Sequence, residues 1–217
     1  MLNYRVGYFL SLLLLTACAQ QRSTPVYEAA TLPVLRVYTS AATQPWLDEV
    51  YLCAAEQPVL IRVSATASAA DIRVSLGLPA QATAPAYLIG TETVWLITHP
   101  QSPLQTLTVD QARALFANGQ ANLQLWAFAP GEDVQQSFER DFMQGLPLNS
   151  LARLATSPTE MLAAVSSDPQ ALGLLPGRWL NNGVYQALAI VENLPVLAQT
   201  DSQPQGPIGA LLACLQK

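Results

Sequence analysis

Four short stretches of small and hydroxyl residues carry the chemistry of this chain: Thr39-Ser40-Ala41-Ala42-Thr43, Ser64-Ala65-Thr66-Ala67-Ser68, Pro130-Gly131-Glu132-Asp133 and Thr156-Ser157-Pro158-Thr159. Each is read as a loop leading from a strand into a helix. Exposed backbone N–H groups and the helix dipole make such ends anion sites with no need for basic side chains. The candidate ligand-binding residues are therefore Thr39, Ser40, Ala41, Ser64, Ser68, Gly131, Glu132, Asp133, Ser157 and Thr159. Taken singly, each loop is an ordinary helix cap; on one cleft, the four would make a ligand site. Catalytic chemistry has little to work with. His99 is the only histidine, Lys217 the only lysine, and there is no Gly-x-Ser-x-Gly, His-Glu-x-x-His, P-loop or Gly-x-Gly-x-x-Gly pattern. Without a Cys, His and carboxylate cluster, no metal site is expected, and no cofactor. Glu132 and Asp133 are adjacent at a helix start, so their side chains diverge and favour the dipole better than a paired acid–base role.

Cys18 is a different kind of site. Arg5, the apolar run from Tyr8 to Leu15 and the small residues Thr16 and Ala17 form a basic region, an apolar core and a cleavage site. The run is shorter than the ~20 apolar residues a membrane span needs. Leu15-Thr16-Ala17-Cys18 resembles the lipobox of bacterial lipoproteins. That resemblance implies a signal peptide over 1–17, lipidation of Cys18, a polar tether over 18–33 and an extracytoplasmic domain anchored to the cell membrane.

The remainder, about 200 residues of the 217, suffices for one sizeable domain or two small lobes. Apolar residues make up 51% and charged residues 12%, about half the usual share of charge, so this is a folding chain. A formal net charge of −5 with no basic run argues against nucleic acid and against a polybasic membrane patch.

Strands are expected at 34–38, 59–63, 71–76, 93–98, 123–128, 151–155, 171–175 and 184–191 from apolar alternation or short apolar runs. Helical spacing joins Leu47, Val50, Tyr51 and Ala54 behind Pro45. A capping box at Thr108 and Gln111 starts a helix that carries Ala112, Leu115 and Phe116. Val134, Phe138 and Phe142 recur at i, i+4 and i+8. Ser157, Pro158 and Glu160 give the clearest helix start. A last helix spans about 208–215, with Ile208, Leu211, Leu212 and Leu215 on one face. Strands alternating with helices mark an α/β sheet.

In this order the passages Val37-Tyr38-Thr39-Ser40, Ala70-Asp71-Ile72, 93–116 and 157–176 resemble the type II periplasmic solute-binding proteins, closest to their phosphate-binding branch. The resemblance implies an α/β, two-lobed fold with two crossovers over 34–217: lobe one about 34–95 and 187–217, lobe two about 96–186. It implies a small-molecule ligand, an oxyanion in the phosphate-binding branch, held between the lobes of a monomer and presented to an ABC transporter permease or a sensor. Two departures weigh against phosphate. The branch places an Arg, then Ser-Gly-Thr, where this chain reads Ala127-Phe128-Ala129-Pro130-Gly131-Glu132-Asp133. Its Asp after the third-strand Ser is here Leu76. An anion beside Glu132 and Asp133 would meet like charge, so tight phosphate binding is not expected. A lipoprotein scaffold or protein-binding module that kept the fold without a ligand stays open as the alternative. In the family's topology the chain returns to lobe one. That would make the first and last helices neighbours and let Cys53 and Cys214 pair in an oxidising compartment.

Overall fold

The structure is a computed structural model that describes residues 31–78 and 84–217. The expected leader over 1–17, Cys18 and the expected tether up to residue 30 lie outside the described residues.

The sheet is built from β1 (Val34–Thr39), β2 (Leu60–Val63), β3 (Ile72–Leu76), β4 (Ala86–Thr98), β5 (Gln124–Phe128), β6 (Arg153–Ala155), β7 (Ala171–Pro176) and β8 (Tyr185–Gln199). The helices are α1 (Leu47–Ala55), α2 (Val109–Asn118), α3 (Asp133–Ser137), α4 (Pro158–Ser167) and α5 (Gly206–Leu215). A π-helical turn, Phe138–Met143, continues α3.

Strand order is β2-β1-β3-β8-β4-β7-β5-β6. One pattern occurs twice. In the first half β1 lies parallel between β2 and β3, and β3 pairs antiparallel with β8. In the second half β5 lies parallel between β6 and β7, and β7 pairs antiparallel with β4. The long strands β4 and β8 run antiparallel to each other from Ala86↔Gln199 to Thr98↔Tyr185, so both halves share them as crossovers. This is the two-lobed α/β arrangement with two crossovers.

Local sequence explains the helices. Thr108 Oγ1 accepts from Gln111 N while the Gln111 side chain accepts from Thr108 N, closing the capping box of α2. Ser157 Oγ accepts from Glu160 N, and Pro158 opens α4. The Glu160 carboxylate reaches past the cap residue to Thr156, accepting from its N–H at 2.7 Å and its hydroxyl at 2.9 Å. Val50, Cys53 and Ala54 are the buried face of α1, whereas Tyr51 lies on the exposed side, contrary to its expected place on that face. α1 lies beside α5, and Cys53 and Cys214 are bonded there with Cα atoms 5.8 Å apart.

The core runs through both halves. Val37, Ile72 and Val74 fill the first, and Phe116, Phe138, Phe142, Met161 and Leu172 the second. Burial of such side chains contributes about 1.5–3 kcal/mol each.

Candidate functional site

β1 and β3 are parallel, so their C-terminal ends open on the same edge of the sheet, and Ser40 and Leu76 follow from those ends. β5 ends likewise at Phe128, and Ala129, Pro130 and Gly131 carry the chain to Glu132 and α3. Gly131 has φ +98, a left-handed conformation that suits glycine, and it swings the chain into the helix.

At this edge the two halves bond directly. Leu76 N–H donates to Asp133 Oδ2 at 2.8 Å, and Val134 N–H donates to Asp133 Oδ1 at 2.9 Å. The Ser40 hydroxyl lies beside this carboxylate and favours its charged form. Ser40 is held in turn by Thr43, whose hydroxyl lies 3.0 Å from Ser40 Oγ and donates to Val74 O at 2.9 Å. Two of the loops read from the sequence thus meet here, at Ser40 and at Asp133. The acceptor at the meeting point is a side chain of the protein itself.

Other contacts flank this bond. Gly77, with φ +77, brings its backbone so close to Ser137 that a Cβ would lie 2.6 Å from the hydroxyl. Arg140 donates to Leu78 O at 3.4 Å and pairs with Asp141 at 2.6 Å. The end of β7 repeats the arrangement in the opposite direction. Trp179 Nε1–H donates to Ala42 O at 2.8 Å, and Arg178 pairs with Glu49 at 3.1 Å. The Arg178 guanidinium lies 3.8 Å from the centroid of the Trp46 ring.

The remaining candidates sit elsewhere in this frame. Ser64 and Ser68 do not precede an α-helix: a single 3-10 turn, Ala67–Ala69, leads on to β3, and the Ser64 hydroxyl is spent on Thr66 O at 2.8 Å. This corrects the reading of that loop as a helix start. Only eight residues, 64–71, lead from β2 past β1 to β3, and they are used up by that turn. Ser157 is occupied as the cap of α4, and Thr159 is exposed on its first turn. Thr39 and Ala41 are half-buried beside Ser40. Leu76 was not among the sequence candidates. Its side chain has no chemistry, and the group that acts is its backbone N–H, 57 positions from Asp133.

The electrostatics are acidic. Burial pushes the Asp133 carboxyl above its ordinary range, partly offset by hydrogen bonds from Ser40, Leu76 and Val134. Burial, then the charge of Asp133, pushes Glu132 up as well. A carboxyl whose pKa is higher folded than unfolded binds protons more tightly when folded, so its contribution is most favourable at low pH and is lost as pH rises through the raised value. Asp71 moves the other way, held low by its hydrogen bond to Arg36, so its contribution is lost as pH falls. The difference between native protein and Asp133→Asn isolates the first effect. Native stability, relative to that variant, should decline from about pH 4 upward. Urea midpoints measured at a series of pH values check this, and a rise of the difference with pH would refute it.

A hollow of about 580 Å³ lies at the other edge of the sheet, lined by Asp71, Thr200, Asp201 and Gln203. It is remote from Ser40 and Asp133, because β8 runs antiparallel to β3 and ends beside the N-terminal end of that strand. Among the described residues, no group of three or more His, Cys, Asp or Glu could hold a metal ion.

The architecture has close structural counterparts. A putative phosphate ABC transporter substrate-binding protein with bound phosphate from Clostridium perfringens superposes with TM-score 0.74 at 15% identity, over 84% of this chain and 92% of that one. The fold is the two-lobed type II periplasmic-binding fold. An ABC-type phosphate transport receptor from Vibrio cholerae matches with TM-score 0.61 at 14% identity, over 84% of this chain and 93% of that one. The CcmR regulatory domain of Synechocystis PCC6803, in complex with 2-PG, matches with TM-score 0.65 at 10% identity, over 85% and 96%. No protein-family model and no curated protein matches the sequence. Binding proteins and regulatory domains share this scaffold, so function has to be argued from the site.

Proposed function

We propose that this chain is an extracytoplasmic, lipid-anchored binding protein that takes a small solute between its lobes and presents it to an ABC importer or a sensor. The observation that carries the reading is the Leu76–Asp133 hydrogen bond. It joins the strand ends of both halves at one point, where Leu76 N–H meets the Asp133 carboxylate, with Ser40 beside it and Glu132 the preceding residue. With two carboxylates there, the point favours a solute that brings hydrogen-bond donors, an ammonium or hydroxyl group, over phosphate.

The test is thermal stability against amines, polyols, amino acids and oxyanions. A ligand at 100 times its dissociation constant stabilises by about 2.7 kcal/mol. Stabilisation by a donor-bearing compound supports the proposal. If no compound stabilises the protein, the solute-binding reading fails.

One observation favours a second reading, a lipoprotein scaffold that kept the fold without a ligand. Side chains of the chain itself already bond the halves, through Asp133 on one side and through Arg178 and Trp179 on the other. A blank solute screen is what that reading expects.

Anchoring rests on the sequence Leu15-Thr16-Ala17-Cys18. Cys18→Ser should shift the protein out of the membrane fraction or leave it as unprocessed precursor. Normal processing and membrane retention of that variant would remove the anchor from the proposal.

A further inference from the structure

The sequence leads to the expectation that phosphate is not bound tightly, and the surroundings of Asp133 offer a physical reason. We infer that Asp133 determines the specificity of the cleft by occupying, with its own side chain, the position a free oxyanion would take. This rests on reading the junction as a binding site. One donor from the first half, the Leu76 N–H, meets the Asp133 carboxylate from the second half at 2.8 Å, and the Ser40 hydroxyl beside it favours the charged form. A second, Val134 N–H, joins from the following residue at 2.9 Å. Two N–H donors closing on one carboxylate is how a protein holds a small bound anion, with hydrogen bonds strengthened by the charge. Here the anion is covalently part of the chain, so its local concentration is fixed and a free oxyanion has to displace it.

The surroundings fit a filled anion position. Glu132 is the residue before, half-buried, with no side-chain hydrogen bond at the helix start, and it adds a second negative charge. Arg140, which follows α3 and reaches across to Leu78 O, is committed to Asp141. Glu139 is taken up by Gln135, whose Nε2 donates to it at 2.8 Å. No charged side chain among these is free to draw an anion past Asp133.

Occupancy and charge make different predictions. Asp133→Ser shortens the side chain, vacates the position, removes its charge and leaves a hydroxyl donor suited to a helix start. Asp133→Asn removes the charge but keeps an oxygen where Leu76 N–H can reach it. Binding of inorganic phosphate and of formate is measured by calorimetry on the native protein and both variants. The amide signal of Leu76 is followed in parallel by nuclear magnetic resonance. Asp133→Ser should bind at least one of the two anions ten times more tightly than the native protein, with a shift of the Leu76 amide. Adding Glu132→Gln to it should tighten binding further. Asp133→Asn should stay close to native. A folded Asp133→Ser protein that binds neither anion better than native overturns the inference. So does an equal gain in Asp133→Asn, which would make charge alone responsible. If Asp133→Ser does not fold by itself, its refolding yield in millimolar formate or phosphate becomes the measurement: the yield should rise, and no rise overturns the inference. These assays need no natural solute. A blank solute screen strikes the proposed function and leaves the anion gain standing, whereas a missing anion gain strikes only the role of Asp133.

Discussion

Replacing Cys53 and Cys214 by serine should lower the stability of the domain by about 5 kcal/mol. The two cysteines are 161 positions apart, so their bond closes nearly the whole described chain into one loop. In the chain-entropy account a cross-link stabilises by restricting the unfolded chain, and the effect grows with the logarithm of the loop. The figure is large beside the 5–15 kcal/mol net stability usual for a domain. The site also gives the bond something to hold. α1 and α5 pack against each other, Cys53 is buried, and Val50, Leu211, Leu212 and Leu215 fill the surroundings. Urea unfolding of the double serine variant and of the oxidised native protein checks the value. A difference below about 1 kcal/mol would mean that the unfolded chain is held compact by other means.

Phe138→Ala should cost about 3–5 kcal/mol, the usual range for emptying a buried phenylalanine site. Phe138 is fully buried in the π-helical turn behind α3. Its ring meets Phe116 of α2 edge-on at 5.0 Å and stacks on Phe142 at 5.4 Å. Such aromatic pairs add about 0.5–1.5 kcal/mol beyond area burial. The consequence reaches the site, because α3 has five residues and depends on tertiary packing for its position. Loss of the ring should therefore also loosen Asp133 and expose the Leu76 amide to hydrogen exchange. Urea unfolding gives the first effect and exchange protection of Leu76 the second. Unchanged protection in a destabilised variant would show that Asp133 is held by its own bonds alone.

What could be read from the sequence was mostly local. The capping residues Thr108 and Ser157 announced their helices because a side chain three positions from its target leaves a fixed spacing. Alternation at Val34–Thr39 and Ile72–Leu76 likewise marked half-buried strands. Two long-range features stayed hidden. β4 begins at Ala86 and β8 runs on to Gln199, well beyond the apolar runs at 93–98 and 184–191. Gly90 and Pro195 argue against strand when read alone. In the fold, Gly90 leaves room for the Trp46 ring, where a Cβ would come within 2.2 Å. Pro195 lies where β8 passes from one half to the other, and its carbonyl accepts from Gly77 N–H at 2.7 Å. The site was half legible. The loop at 130–133 marked the place of the acceptor, whereas the donor, Leu76 N–H, lies in none of the four small-residue loops. That Asp133 would itself meet the donors depends on an amide 57 positions away, which leaves no trace in local spacing.

The shared strands β4 and β8 set what motion the molecule can make. Because they pair with each other across the whole passage between the halves, the hinge is a continuous two-stranded ribbon. A ribbon of this kind resists sliding, since moving one strand along the other breaks the ladder at every pair. It yields more readily to bending and twisting, and its register shifts between Leu88 and Gly90, between Glu92 and Trp95 and between Leu96 and Ile97, where the ladder is interrupted. The second half is one continuous stretch between β4 and β8, whereas the first is assembled from both ends of the domain, because the chain leaves it along β4 and returns along β8.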